Sequence, residues 1–284
     1  MLNCIKMDLY RMFRMKSFYV IGIILAAATF FTTSMSVLDY DMMNEQIKEN
    51  PQIYEQEISS DEEPVILGMN VTIPTRPGEM VTVYDQVYGN LHGKFIALFM
   101  VIFAVLFSTS DLSSGYIKNI GGQMKNRGNL VVSKAVALFL YTALTMLFYL
   151  VVQTAAQAVC FGELHMGPLK DMAAYLATQT MLHYALLLIC MAVALITRSK
   201  LFSMIFAVFC CMNIMSILYS AVDRVIEKLG IEGFNMIRYT VTGRMALLEM
   251  TPTVEGYVRA LVIAVVFGLA VTVLSGQIFR KRDI

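Results

Sequence analysis

Six long apolar runs constrain this chain more than any other feature of its 284-residue sequence. The first, residues 18–37, contains no charged residue and matches the stretch of about 20 apolar residues that crosses a bilayer as a helix. The other runs cover residues 95–110, 135–161, 172–197, 201–221 and 258–279. Together they predict an all-α, polytopic membrane protein with six transmembrane helices.

Composition supports a membrane environment and excludes several classes of soluble protein. Hydrophobic residues make up 57% of the chain and charged residues 15%, whereas soluble domains carry about 25% charged residues. The five cysteines form no Cys-x-x-Cys pair, so neither a disulfide framework nor a thiolate metal site is indicated. A net charge of +1 gives no electrostatic footprint for binding nucleic acid.

Basic residues in the short loops predict the orientation of the helices. They gather in the N-terminal arm, in the loop 111–134, at Arg198 and Lys200, and in the C-terminal tail. With six spans these segments share one side, which the positive-inside rule assigns to the cytoplasm. The opposite side begins with residues 39–93, which hold eleven acidic and two basic residues. We therefore expect both termini in the cytoplasm and a large extracellular first loop.

Two segments outside the apolar runs carry weaker patterns. In the first outer loop, residues 65–67 and 80–84 are β-like and separated by prolines, which predicts a small external elaboration. Residues 222–256 are too rich in charge to span a membrane. They predict an extracellular segment or short re-entrant helices before the last span.

The N-terminal arm, residues 1–17, has the pattern of a helix that lies in the membrane interface. Apolar residues recur there at three- and four-residue steps: Leu2, Ile5, Leu9, Met12 and Phe13. Arg11 and Arg14 fall on the other face of the same helix. The alternative is a charged flank that only orients the first span. The remainder, residues 18–284, forms the transmembrane domain.

Four polar residues inside the predicted spans are candidates for a substrate path. Gln153 and Gln157 are one helical turn apart and so face the same way. His183 and Asn213 lie near the middle of their spans. Polar side chains within a membrane tend to face the interior of the bundle. There they either line a path or bond packed helices to each other, and both interpretations stay open.

The chain carries no recognisable catalytic motif. Its only Gly-Lys pair, Gly93–Lys94, lacks the upstream glycine spacing of a P-loop. It has neither His-Glu-x-x-His nor Gly-x-Ser-x-Gly, and its three histidines fall on different predicted segments. We predict no catalytic residue, no metal site and no cofactor in this chain, and do not expect it to be an enzyme.

Two stretches of the sequence resemble the type-2 (ABC-2) ABC transporter permeases. The opening MLNCIKMDLYRMFRMKSFYV is similar to the interfacial helix and first span of that family, with these matching residues: Leu9, Tyr10, Arg11, Arg14, Lys16 and Ser17. DLSSGYIKNI at residues 111–120, followed by Lys134, is similar to the family's stretch between spans two and three. The large outer first loop looks more like the small permeases of bacterial peptide-export and lantibiotic-immunity systems than like sugar exporters.

The resemblance implies the permease subunit of an ATP-driven exporter in the bacterial cytoplasmic membrane, with an amphipathic or hydrophobic cargo such as a peptide, drug or lipid-like molecule. Implied partners are P-loop ABC ATPase subunits, which carry ATP and Mg, and a second copy or homologous permease, within the lipid bilayer. The segment that couples to the ATPase maps onto Gly115, Tyr116, Ile117, Lys118, Asn119 and Ile120. This chain has Gly128–Asn129–Leu130 where the family has Pro and Arg, which leaves the end of that segment undefined.

Two other functions remain open at this stage. A motorless transporter or channel would be expected to carry carboxylates inside its spans, and the predicted spans hold none. A membrane assembly or sensor protein would instead use the acidic outer loop as a binding surface.

Overall fold

The computed structural model describes residues 1–49, 68–69, 71–76, 78–113, 128–231 and 233–281, and these residues form helices and connections without a strand. The α-helices are α1 (Leu2–Arg14), α2 (Lys16–Glu49), α3 (Val83–His92), α4 (Phe95–Ser113), α5 (Gly128–Cys160), α6 (Leu169–Thr197), α7 (Lys200–Cys211), α8 (Met215–Lys228), α9 (Val241–Leu247) and α10 (Val254–Lys281). A short 3-10 helix, Met236–Tyr239, precedes α9.

Four of these helices, α2, α5, α6 and α10, are long and apolar enough to cross a membrane. Two further pairs pass the same test when each is taken as one bent span: α3 with α4, bent by 53°, and α7 with α8, bent by 75°. The described residues therefore provide four to six candidate spans, as in a multi-pass membrane protein. Each apolar run of the sequence coincides with one of these helices or pairs.

The helices meet at two opposite ends of the bundle. At one end, the backbone N–H of Val83 at the start of α3 donates to the carbonyl of His165 between α5 and α6 (2.7 Å). At the other end, the hydroxyl of Ser133 near the start of α5 donates to the carboxylate of Asp8 in α1. We name these the α3 end and the α1 end.

Helix α6 lies at the centre of the bundle. It packs against α4, α5, α7, α9 and α10. Of its most apolar 18-residue stretch 61% is buried, compared with 17% of the corresponding stretch of α10. The outward side chains of α10 are themselves apolar, among them Val262, Leu269 and Val273. A helix that is apolar all round is either buried or exposed to lipid, so α6 takes the first environment and α10 the second.

Each bent pair breaks at a residue in the left-handed backbone region. Lys94 has φ 60° between α3 and α4, and Asn213 has φ 55° between α7 and α8. A single left-handed residue interrupts a right-handed helix, because the next turn cannot continue the same hydrogen-bond ladder. The sequence predicts one continuous span over residues 201–221, whereas the structure bends the chain sharply at Asn213.

The expected β-like piece at Met80–Tyr84 is wrong, because α3 begins within it at Val83. The Thr82 hydroxyl accepts from the Asp85 N–H (3.2 Å), and the Asp85 carboxylate accepts from the Thr82 N–H (2.7 Å). This reciprocal pair is a capping box, which stabilises a helix start. Helix therefore occupies both ends of residues 39–93, and the other β-like piece, 65–67, lies outside the described residues.

Candidate functional site

The breaks of the two bent pairs meet at a buried junction. Lys94 is 3% exposed, and its ammonium donates to the side-chain oxygen of Asn213 (2.5 Å). Among the described residues, Asn213 Oδ1 is the acceptor for Lys94 Nζ. A buried ammonium is costly unless it is hydrogen-bonded, so the contact ties the two breaks together.

The first outer loop closes over this junction. The side-chain amide of Asn213 donates to the carbonyl of Gly68 (3.2 Å), and the Gly68 N–H donates to the carbonyl of Met212 (3.0 Å). Nearby in the chain, the carbonyl oxygen of Thr72 lies 2.7 Å from where a β-carbon on Gly89 would stand. Gly89 therefore lets the outer loop approach the backbone of α3. We name Lys94, Asn213 and Gly68 the break junction.

A second polar group, centred on Gln153, joins α2, α3 and α5. Its side-chain oxygen accepts from the amide of Asn90 (3.2 Å) and from the hydroxyl of Tyr149 (3.4 Å). Its side-chain amide donates to the hydroxyl of Thr33 (3.0 Å). All four residues are fully buried. Inside an apolar bundle, such bonds fix the relative positions of the three helices.

The same face of α5 carries Gln157, one turn further along. Its amide donates to the carbonyl of Val81 (2.8 Å), and its side-chain oxygen has no partner among the described residues. On α3, Gln86 Nε2 and Asn90 Oδ1 are likewise buried without a partner in the described part of the chain. These three orphaned atoms make the region polar enough to hold ordered water.

His183 belongs to a separate cluster on α6. Its Nδ1 lies 2.7 Å from the carbonyl of Gln179, so this nitrogen is assigned the proton. The amide of Gln179 donates to the hydroxyl of Tyr175 (3.0 Å) and to the carbonyl of Met245 (3.2 Å). The cluster therefore joins α6 to α9.

The structure thus separates the four residues that the sequence proposes for a substrate path. Gln153 and Gln157 lie together facing α3, Asn213 lies at the break junction, and His183 lies on α6 one turn from Gln179. No hydrogen bond among the described residues joins these three places. Gln153 bonds α5 to α2 and α3, whereas Gln157 and Asn213 bond to residues outside the helices. The His183 bond stays within α6.

At the α1 end, α1 packs against the start of α5 through a face that contains a carboxylate. Asp8 and Met12 are fully buried, whereas Phe13 is 40% exposed and Arg14 is exposed 5.1 Å from the ring of Tyr10. Leu9 and Arg11 are half-buried. The helix therefore presents apolar and basic groups outward, and its buried face binds the protein.

A cleft of about 390 Å³ lies between α2 and α5. Its lining is almost wholly apolar and comes from two helices: Phe18, Ile21, Leu25, Tyr141, Leu144 and Phe148. Because α2 and α5 are both candidate spans, we expect this cleft to lie at the depth of the bilayer.

The residues proposed to couple to an ATPase cannot be placed on this fold. Gly115, Tyr116, Ile117, Lys118, Asn119 and Ile120 lie outside the described residues. The described chain resumes at Gly128, five residues before Ser133.

Sequence reasoning missed several residues at these sites. Lys94 stands just before the apolar run 95–110, where a lysine is normally exposed, and its burial is seen only in the structure. Gln86 and Asn90 are spaced four residues apart, like Gln153 and Gln157, and that matching spacing was a usable signal. Asp8 gave no signal, since a lone carboxylate between basic residues is normal for a solvated face.

Comparison with known proteins places most of the chain in one family. A family model described as "Protein of unknown function (DUF2705)" matches residues 57–284, a range that includes α3 to α10. No curated protein matches the chain.

Proposed function

We propose that this chain, which belongs to the DUF2705 family, is the permease subunit of a type-2 ABC exporter. It pairs with a second copy or a homologous permease and with two P-loop ATPase subunits, which hold ATP and Mg. It moves an amphipathic or hydrophobic cargo across or out of the bacterial cytoplasmic membrane, and both its termini lie in the cytoplasm. Its own role is conformational change and not catalysis.

The contact between α1 and the start of α5 carries this proposal. The Ser133–Asp8 hydrogen bond is buried. Ser133 lies near the start of α5, and α5 begins directly after residues 111–127, which hold the proposed coupling segment. Close-packed interiors transmit displacement with little compression. A push on the loop would therefore reach α5 and α1 together, as a motor acting on a permease requires.

The two bent pairs supply the element that such a push would move. Both breaks lie at left-handed residues, where a helix can change direction by altering a few dihedral angles. The break junction couples them, since the Lys94–Asn213 bond holds one break against the other. We expect this bond to lengthen when the bundle changes between inward- and outward-facing states.

The cleft between α2 and α5 supports a hydrophobic or amphipathic cargo. Its apolar walls offer no charged partner for a strongly polar solute and suit the apolar part of a cargo molecule. The buried amides of Gln153 and Gln157 lie further along α5, where they would meet the polar part of such a cargo.

Co-purification tests the proposal directly. The tagged chain is extracted from its native host in mild detergent, and a P-loop ATPase is sought in stoichiometric amount. Ile117→Asp places a charge on the proposed coupling surface, and we expect it to reduce recovery of the ATPase at least tenfold, as loss of an interface hot spot does. The matched control is Ile231→Asp, at an exposed position in the segment assigned to the outer side.

The outcomes are distinguishable. An ATPase that accompanies the parent and Ile231→Asp but not Ile117→Asp supports both the function and the coupling surface. A well-folded parent that repeatedly yields no ATPase refutes the exporter proposal. An ATPase that stays bound to Ile117→Asp at the parent level refutes the placement of the coupling segment.

A further inference from the structure

A polar pocket lies at the α3 end, between α9 and the start of α10. It has a volume of about 250 Å³, and its polar lining comes from Arg244, Glu249, Thr253, Glu255 and Arg259. The segment before α10 is held at this end, because the Tyr84 hydroxyl donates to the carbonyl of Met250. We name this the arginine pocket.

Arg244 is the buried charge of the arginine pocket. Its side chain belongs to a residue that is only 7% exposed, and Nη2 donates to the carbonyl of Gly256 (3.2 Å). Among the described residues, its Nε is buried without a hydrogen-bond partner, and no carboxylate in that part of the chain forms an ion pair with it. A guanidinium has five N–H donors, so most of its donor capacity is unused.

The charges of the described residues around Arg244 do not compensate its own charge. Burial lowers its pKa, and the nearby positive charges of Arg259 and Arg238 lower that pKa further. The carboxylates of Glu249 and Glu255 stand exposed at the rim, and Glu255 is already paired with Arg259 (2.8 Å). Because the arginine stays protonated, its site has the electrostatics of a cation that lacks its anion.

The donors around the pocket suit a tetrahedral oxyanion. Arg244 and Arg259 supply guanidinium groups, which bind phosphate through paired N–H bonds. The Thr253 hydroxyl accepts from the Gly256 N–H (3.2 Å), so its own proton is free to be donated. Arg244 belongs to α9, Arg259 to the beginning of α10, and Thr253 directly precedes α10. One anion bound by all three would therefore bridge α9 and the start of α10.

We propose that the arginine pocket binds a phosphate group, carried by a lipid headgroup or by a free phosphate anion. Arg244 holds the phosphate in the interior, and Arg259 exchanges its exposed carboxylate partner for the same phosphate. Binding joins α9 to α10 and stabilises the fold. The proposal does not rest on the permease function, since it requires neither an ATPase nor a cargo.

The test measures the unfolding midpoint of the full chain in neutral maltoside micelles. One series adds inorganic phosphate, and the other adds dihexanoyl phosphatidylglycerol, with dihexanoylglycerol as the phosphate-free control. A ligand that binds the native state raises the midpoint in a saturable way. Saturation by inorganic phosphate identifies a free anion as the ligand, whereas saturation only by the phospholipid identifies a headgroup.

Substitutions locate the effect. Arg244→Lys keeps the charge but not the paired donors, and we expect about tenfold weaker binding. Arg259→Gln changes a side chain that is 50% exposed, so this variant should fold even if Arg244→Lys does not. We expect it to bind the phosphate several-fold more weakly than the parent. Arg280→Gln, in the last turn of α10 at the opposite end of the helix, is the matched control and should bind as the parent does.

Two results would overturn the proposal. One is the absence of saturable stabilisation by either phosphate probe. The other is a response that Arg259→Gln leaves intact or that Arg280→Gln weakens equally, because the phosphate would then be sensing net charge and not the arginine pocket.

Discussion

The break junction makes a quantitative prediction about Asn213. In Asn213→Gly the left-handed backbone at φ 55° is kept without a steric cost, and only the side chain is lost. The change removes the bond from Lys94, a bond to a charged group worth about 1.5–3 kcal/mol, and the bond to Gly68, worth about 0.5–1.5 kcal/mol. We expect the free energy of unfolding to fall by about 2–4.5 kcal/mol.

The assay is reversible unfolding of the purified chain in mixed micelles with increasing SDS. Lys94→Met removes the ammonium while keeping most of the side-chain volume, and the double variant closes a double-mutant cycle with Asn213→Gly. Because the two side chains bond directly, we expect a coupling free energy of about 1.5 kcal/mol or more. Asn213→Ala should be about 1 kcal/mol less stable than Asn213→Gly, since its β-carbon disfavours the left-handed conformation.

Two results would refute this reasoning. A coupling free energy near zero between positions 94 and 213 would mean that the Lys94–Asn213 bond does not hold the breaks together. Equal stability of Asn213→Ala and Asn213→Gly would mean that the chain at this position is not left-handed, and the break itself would then be in question.

Two further substitutions test close contacts elsewhere. Gly89→Ala should destabilise the protein by about 1–3 kcal/mol, because its β-carbon would overlap the Thr72 carbonyl. Gly22→Ala, with open space around it, is the control and should be neutral or stabilising. Equal effects of the two substitutions in SDS unfolding would contradict the close approach of the outer loop. Ser133→Ala should lower the free energy of unfolding by about 1.5–3 kcal/mol, because the bond to Asp8 is lost. Proteolysis of the N-terminal arm should then be faster, and an unchanged cleavage rate would contradict the docking of α1 on α5.

The long helices were predictable because their signal is local. The run 172–197 predicts α6 (Leu169–Thr197) within three residues, and the run 135–161 predicts the end of α5 (Gly128–Cys160) within one residue, although α5 begins seven residues before the run. Hydropathy adds along consecutive residues, so a span is recognised without knowing what it packs against. The same measure does not separate central α6 from peripheral α10, since lipid and a protein core are equally apolar.

The start of α3 was missed although its signal was present. Val81, Val83 and Tyr84 favour a strand by propensity, and the capping box between Thr82 and Asp85 favours a helix. The helix prevails because its buried face packs against α4 and α5. Propensity is the weaker influence wherever burial is decided by distant elements.

Local patterns in the sequence are enough to predict that this chain is helical, where its long helices lie, and that its N-terminal arm is amphipathic. The contact of Lys94 with Asn213, 119 residues away, and the burial of Arg244 beside the start of α10 depend on how the helices pack. Polar groups buried in an apolar bundle are stabilised by hydrogen-bond partners, and these often come from distant parts of the chain, as Asn213 does for Lys94. Apolar length can be recognised from neighbours in the chain, whereas the pairing of polar groups depends on how the whole chain packs.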